Sequence, residues 1–327
     1  MTGKPNFPLI TIMGPTASGK TPVATHLAYL LHGVVISGDS RQLYRGMDIG
    51  TGKDLADYNV GNEQIPYKLI DICNPGERYN IHAYQQRCMQ ELQQLEATPC
   101  ILCGGSGLYI EAVLGQYGLA EVPEDKTLRE KLLDQPLELL HQQLQQYPQH
   151  YWPRDLLNKR RVIRALEIAS YYTQHPEATN RISRTQWDNN NPIYIIEVSR
   201  EVRRQRITDR LKARLEEGLV QEVQQLLQQG ITPQDLIYYG LEYKFVTLYV
   251  MGELSYQQMF CQLQTAIHQF AKRQMTWIRG MERRGFSLTY VTPEETPALT
   301  ALKLLADLRQ RGYPLQQIPN LRTSFNT

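Results

Sequence analysis

Residues Gly14-Pro15-Thr16-Ala17-Ser18-Gly19-Lys20-Thr21 fit the pattern G-x-x-x-x-G-K-[ST], and their flanks restrict what this chain can fold into. Leu9 to Met13 read as a buried strand, and Val23, Leu27, Leu30 and Leu31 follow at helical spacing with Gly33 as the stop. The context is strand, glycine turn, helix. Such a turn aims backbone N–H groups and the positive end of a helix at one small volume, while Lys20 adds a full charge and Thr21 a hydroxyl for Mg²⁺. A di- or triphosphate is expected on Gly14 through Thr21. The motif alone names neither the phosphate ester nor the reaction.

Composition narrows the remaining choices. The 327 residues are 42% hydrophobic and 21% charged, ordinary for a globular protein with a sizeable core. Net charge is only +2, so binding to nucleic acid must come from local clusters of basic residues. No apolar run approaches the ~18 residues of a membrane helix, and Met1 to Phe7 is too short and polar for a signal peptide. A cytoplasmic location without membrane contact is expected. Five cysteines without framework spacing fit reduced thiols. Cys100 and Cys103 share one strand and point to opposite faces, which favours core packing over a metal or disulfide.

Short β-rich runs at Leu9 to Met13, Val34 to Ser37, Lys68 to Asp71, Cys100 to Cys103 and Ile193 to Val198 alternate with helical patterns. That order predicts an α/β fold with a parallel sheet. Between Gly118 and Asn191 two helical patterns take over, near Leu128 to Gln146 and Asp155 to Tyr172, bounded by loops at Gly118 to Asp125 and Asp188 to Pro192. The expected organisation is a phosphate-loop core (1–117 and 193–285), a helical insertion (118–192), and a strand, helix and loose tail (286–327). Arg45 to Pro66 reads as a long functional loop. Gly218, Gly230, Pro233, Gly240 and Gly252 punctuate the helices after residue 198.

Candidate chemistry gathers at strand ends. Asp39 follows the second strand, at the edge where open α/β sheets bind ligands, and has three jobs open to it: helix N-cap, Mg²⁺ ligand or general base. Spacing alone puts the first two ahead of the third. Gly104-Gly105-Ser106-Gly107 forms a second glycine turn, and Asp71 reads as a strand-end residue more than a Mg²⁺-binding carboxylate. Arg203, Arg206, Arg210 and Arg214 form one stripe of a helix, and residues 200–214 hold seven basic and two acidic side chains. Arg160, Arg161 and Arg164 share a face in the insertion, and Lys272, Arg273, Arg279, Arg283 and Arg284 form a third group. A solvated face explains any one of these. Three beside a phosphate loop point to a polyanionic partner.

The segments GPTASGKT (14–21), SGDSRQLYRGMDIGTGK (37–53), LID (69–71), CGGSGLY (103–109), RVIRALE (161–167), EEGLVQEV (216–223) and AKRQMTW (271–277), in this order, resemble the bacterial tRNA dimethylallyltransferase family over about residues 9 to 280. The resemblance implies an enzyme that moves a dimethylallyl group from its diphosphate to the exocyclic amine of the adenosine 3′ of the anticodon. It further implies that Gly14, Pro15, Thr16, Ala17, Ser18, Gly19, Lys20 and Thr21 hold the diphosphate with Mg²⁺ on Thr21, and that Asp39 is the general base. Thr16 and Arg210 would act on the diphosphate. Asp39, Ser40, Arg41, Gln42, Ser106, Arg161 and Arg164 would contact the tRNA anticodon stem-loop, and a monomer is expected. Arg41, Tyr67-Lys68, Ser106, Gly240-Leu241-Glu242 and the residues before Arg161 depart from the family pattern. Competing readings are a phosphate-loop small-molecule kinase, a nucleotide-gated RNA-binding module, and an isopentenyltransferase acting on free adenine nucleotides.

Overall fold

The structure, a computed structural model, describes residues 7–115, 122–153, 155–176 and 191–325. The chain divides into two compact units, Met1–Leu114 with Trp187–Thr327, and Gly115–Gln186. The expected boundary residues Gly118 to Ala120, Glu121 and Asp188 to Asn190 lie outside the described residues, as do the first six.

In the larger unit, β1 (Ile10–Met13) leads through the glycine turn into α1 (Lys20–Leu31), then β2 (Val34–Ser37). A small hairpin of β3 (Asn59–Val60) and β4 (Glu63–Gln64) precedes β5 (Tyr67–Lys68), α2 (Ile81–Gln94), β6 (Cys100–Gly104) and α3 (Gly107–Val113). The smaller unit contains α4 (Lys126–Leu133), α5 (Leu137–Leu144) and α6 (Lys159–Gln174). The chain then returns as β7 (Ile193–Ile196), α7 (Arg200–Glu217), α8 (Leu219–Gln228), α9 (Pro233–Tyr238), α10 (Leu241–Val250), α11 (Tyr256–Arg283), β8 (Leu288–Val291) and α12 (Pro297–Gln310).

Six strands pair in the order β5-β2-β6-β1-β7-β8, every pair parallel. The strands alternate between two cores, as the two-residue period requires. Met13, Ile36, Cys100, Leu102, Ile193 and Ile195 face one core with Leu211, Val223, Leu263 and Met275 of α7, α8 and α11. Ile10, Ile12, Val35, Ile101, Cys103 and Ile196 face the other with Leu27 and Leu30 of α1 and Leu304 and Leu308 of α12. Cys100 and Cys103 are free thiols on opposite faces, as expected. Among the described residues no helix is long and apolar enough to cross a membrane.

Four local expectations are corrected. The strand expected over Lys68 to Asp71 stops at Lys68, because Leu69 and Asp71 take left-handed backbone (φ 62° and 57°) that no ladder accommodates. The residue that ends α1 in left-handed conformation is His32 (φ 47°), not Gly33. Gly33 is needed for a different reason: a Cβ there would lie 2.6 Å from the carbonyl oxygen of Pro99. The helix expected over Leu128 to Gln146 is two helices, since Pro136 has no N–H to give and cannot sit in a helix interior.

The expected C-terminal strand and helix are β8 and α12, and the fourth correction concerns the tail after them, which is docked and not loose. β8 joins the central sheet, and Tyr313, Leu315 and Ile318 are buried in the α1 core. Arg322 lies 3.9 Å from the Tyr29 ring centroid and donates to the Tyr29 carbonyl at 3.0 Å, while Phe325 stacks on the same ring at 5.5 Å.

Gly33→Ala should therefore force backbone apart and destabilise the protein by about 1–3 kcal/mol, the range for overpacking. Urea unfolding should show a lower midpoint with an unchanged slope, and an unaltered midpoint would contradict the close approach.

Candidate active site

The glycine turn opens at the carboxyl edge of β1, in the middle of the sheet. Ala17 (φ 62°) and Gly19 (φ 86°) both take left-handed backbone, a conformation that turns successive N–H groups inward. Gly19 is the N-cap of α1 and supplies no side-chain acceptor, so the first N–H groups of the helix are left to an anion. Ser18 Oγ is buried and has no partner among the described residues. Beside the turn lies a cavity of about 230 Å³, lined by Gly19, Lys20, Thr21, Asp54, Asp57, Arg206 and Arg210.

The cations here are desolvated. Burial pulls Lys20 below its ordinary value of 10.5, with the carboxylates of Asp39 and Asp54 acting the other way. Arg210 is pulled down to about 10, first by burial and then by the charge of Arg214. Its guanidinium donates to Thr16 Oγ1. The Asp57 carboxyl is pushed up to about 6 by burial and by Asp54. The arginine stripe of α7 is thus not one solvated face. Arg206 and Arg210 line the cavity and Arg214 is buried deeper, within 3.5 Å of Asp54 and 3.7 Å of Glu242.

The next strands bring the remaining groups to the same edge. After β2, Asp39 precedes a turn and caps no helix. Its Oδ1 accepts from the Arg41 N–H at 2.9 Å, and its own N–H donates to Ser37 Oγ at 3.3 Å. Ser106, after β6, accepts from the Ser40 N–H at 3.2 Å, with the two hydroxyls 3.3 Å apart. Gln42 accepts from Ser37 Oγ at 2.7 Å and donates to the Gly52 carbonyl at 2.9 Å.

Three residues without an assigned role in the sequence, and Arg214 of the basic stripe, hold this edge in place. Gln274 of α11 accepts the Thr16 N–H at 2.8 Å and donates to the Gly105 carbonyl at 2.9 Å, tying the two glycine turns together. Glu222 of α8 accepts the N–H groups of Asp48 (2.7 Å), Ile49 (2.8 Å) and Gly50 (3.0 Å), and the Tyr243 hydroxyl at 2.7 Å. Lys53, 1% exposed, donates to the Tyr44 carbonyl at 2.7 Å and pairs with Asp48 and Asp71. Asp71 therefore serves a buried lysine. Arg214 completes the clasp over Gly52, whose φ of 62° and contact with that guanidinium leave no room for a side chain. The available signal was periodicity: Gln274 and Glu222 are polar residues inside the apolar stripes of their helices.

In the smaller unit, Arg161 is exposed and 3.3 Å from Asp155. Arg164 pairs with the buried Glu167 and donates to the Val122 carbonyl at 2.8 Å. Glu167 also accepts the Asp125 N–H at 2.7 Å and pairs with Arg129 at 2.9 Å. The basic face of α6 is consequently split, with Arg160 and Arg161 outward and Arg164 holding α6 to the start of α4.

Lys20 and Arg210 lose their protons below their ordinary values, and each loss removes positive charge from the anion cavity. Affinity for diphosphate should accordingly start to fall below pH 10.5, the ordinary lysine value, as pH rises. Calorimetric titration of diphosphate from pH 7 upward tests this. Constant affinity through pH 10.5 would contradict it.

The IPP transferase family model matches residues 42–281. The phosphate loop lies before that match, so its geometry is a separate observation. The chain is 51% identical over 290 residues to a tRNA dimethylallyltransferase 2 of Bacteroides fragilis, covering 88% of this chain and 93% of the relative. It is also 51% identical over 309 residues to a tRNA dimethylallyltransferase 1 of Parabacteroides distasonis, covering 92% and 98%. The crystal structure of the full-length tRNA isopentenylpyrophosphate transferase of Bacillus halodurans superposes with a TM-score of 0.66 at 29% identity, covering 97% of this chain and 99% of that one. Agreement of that extent in sequence and in fold makes this protein a member of the IPP transferase family.

Proposed function

We propose that this enzyme transfers a dimethylallyl group from dimethylallyl diphosphate to the exocyclic amine of the adenosine 3′ of the anticodon in tRNA. The observation that carries the reading is the juxtaposition at one sheet edge of a desolvated cation cavity and a carboxylate, Asp39, close enough to act on the charge of Lys20. A kinase would use such a loop to transfer phosphate. In this reading the diphosphate is instead the leaving group.

Diphosphate would lie in the turn from Gly14 to Thr21, on the N–H groups at the start of α1, with Lys20 and Arg210 on its oxygens and Thr16 oriented by Arg210 and Gln274. The amine of adenine is a poor nucleophile. Asp39 would take its proton as the nitrogen–carbon bond forms, while the carbon–oxygen bond breaks and its electron pair leaves with diphosphate. The charge that develops there meets fixed donors, which need no reorganisation.

The donors on hand suit Mg²⁺. They are hard oxygens, the Thr21 hydroxyl together with those of the diphosphate, and no cluster of three or more His, Cys, Asp or Glu fit to cage a metal occurs among the described residues. When bound, Mg²⁺ would offset negative charge on the departing diphosphate. Ser40, Arg41, Gln42 and Ser106 would meet the RNA around the extruded adenosine, and the helical unit, through the outward Arg161 and not the internally paired Arg164, the anticodon stem. The enzyme would act as a monomer in the cytoplasm.

Asp39→Asn keeps the shape of the side chain and the acceptor for the Arg41 N–H but cannot take the proton. Single-turnover alkylation of tRNA should fall by about 10²- to 10⁴-fold, with tRNA binding preserved. A near-normal rate would remove Asp39 from the chemistry.

A further inference from the structure

We propose that Tyr238, with Arg41 and Arg78, forms a stacking platform for a base directly next to the alkylated adenosine, an inference that rests on the transferase reading above. Tyr238 closes α9 and is 44% exposed. The Arg41 guanidinium lies 5.6 Å from its ring centroid and that of Arg78 5.0 Å. Asp235 stands 3.8 Å from Arg78, and the Asp39 carboxylate lies beside Arg41.

The platform is rigid from beneath. Tyr239, the next residue, is 1% exposed, packs against Tyr238 at 5.7 Å and against Tyr44 at 4.5 Å. Its hydroxyl donates to the Glu77 carbonyl at 2.9 Å and accepts the Gly76 N–H at 2.7 Å. The end of α9 is thereby fixed to the segment that carries Arg78. Arg41 fixes the other side, because its N–H is bonded to the Asp39 carboxylate. The exposed ring is thus linked to the proposed general base through one residue.

An exposed aromatic ring with two guanidinium groups over it suits a nucleotide of single-stranded RNA: the ring and the guanidinium planes together offer stacking surface to a base, and the cations answer a phosphate. Extruding an adenosine from a loop strips its neighbours of a stacking partner. A ring beside the receiving carboxylate can replace the lost stack. Guanidinium groups would suit RNA and an acidic protein surface alike, but the adjacency to Asp39 selects the RNA that must be there.

Steady-state alkylation at saturating dimethylallyl diphosphate tests the proposal with three anticodon stem-loops: intact, abasic immediately 5′ of the target adenosine, and abasic immediately 3′ of it. On intact RNA, Tyr238→Ala should raise KM by about tenfold, the order of one lost base stack, with kcat unchanged, and Tyr238→Phe should resemble wild type. On one of the two abasic RNAs the wild type and Tyr238→Ala should coincide. Where the alanine variant fails to fold, Tyr238→Leu, which keeps bulk but has no π face, should show the same pattern. An unaffected KM on intact RNA, or a penalty undiminished on both abasic RNAs, would overturn the platform. A wild type that binds diphosphate but alkylates no RNA would overturn the transferase reading itself.

Discussion

The arrangement of the larger unit depends on burying positive charge at the centre of a parallel sheet's edge. A lysine and an arginine removed from water are costly unless anions or fixed dipoles answer them. Lys20 and Arg210 are both depressed by burial, so the cavity between them is poised for a strongly anionic ligand. The elements around it keep the charges in place. The start of α1 supplies N–H groups, α7 delivers Arg206 and Arg210 one helical turn apart, and Gln274 spans the two glycine turns so that Thr16 faces Arg210.

Asp39 poses the opposite problem: a carboxylate so near a cation cavity must be kept from collapsing into it. The segment from Gln42 to Asp54 answers this through buried polar contacts. Glu222 collects three consecutive N–H groups, Lys53 sits between Asp48 and Asp71, and Arg214 packs over Gly52. Without Asp48 and Asp71 the Lys53 charge would be buried and uncompensated. The same segment places Asp54, with Asp57 just after it, on the wall of the cavity. A rigid backbone there links the anion site to Asp39 without any direct bond between their side chains.

Much of this was legible from residue order. The β1 turn into α1 was readable because its glycines, lysine and apolar flanks are local in sequence, and the alternating apolar strands specified a parallel sheet. What escaped was set by tertiary contact. Leu69 and Asp71 look like strand residues until Lys53, eighteen positions earlier, turns Asp71 toward itself. The tail after α12 carries few apolar residues, yet Arg322 and Phe325 dock on Tyr29 far away in the chain. Gln274 and Glu222 stood out only as polar breaks in apolar stripes. Arg164 read as one of three equivalent surface arginines, though its partner Glu167 is three residues away on the same helix.

The central claim is that this phosphate loop serves alkyl transfer and releases diphosphate whole. Supplying the enzyme with dimethylallyl diphosphate labelled in the alkyl group, together with tRNA, AMP and ATP, tests it directly. The account predicts label on the exocyclic amine of an adenosine recovered from digested tRNA, with intact diphosphate as the second product. Label on AMP or ATP with the tRNA unmarked, or orthophosphate in place of diphosphate, would contradict it.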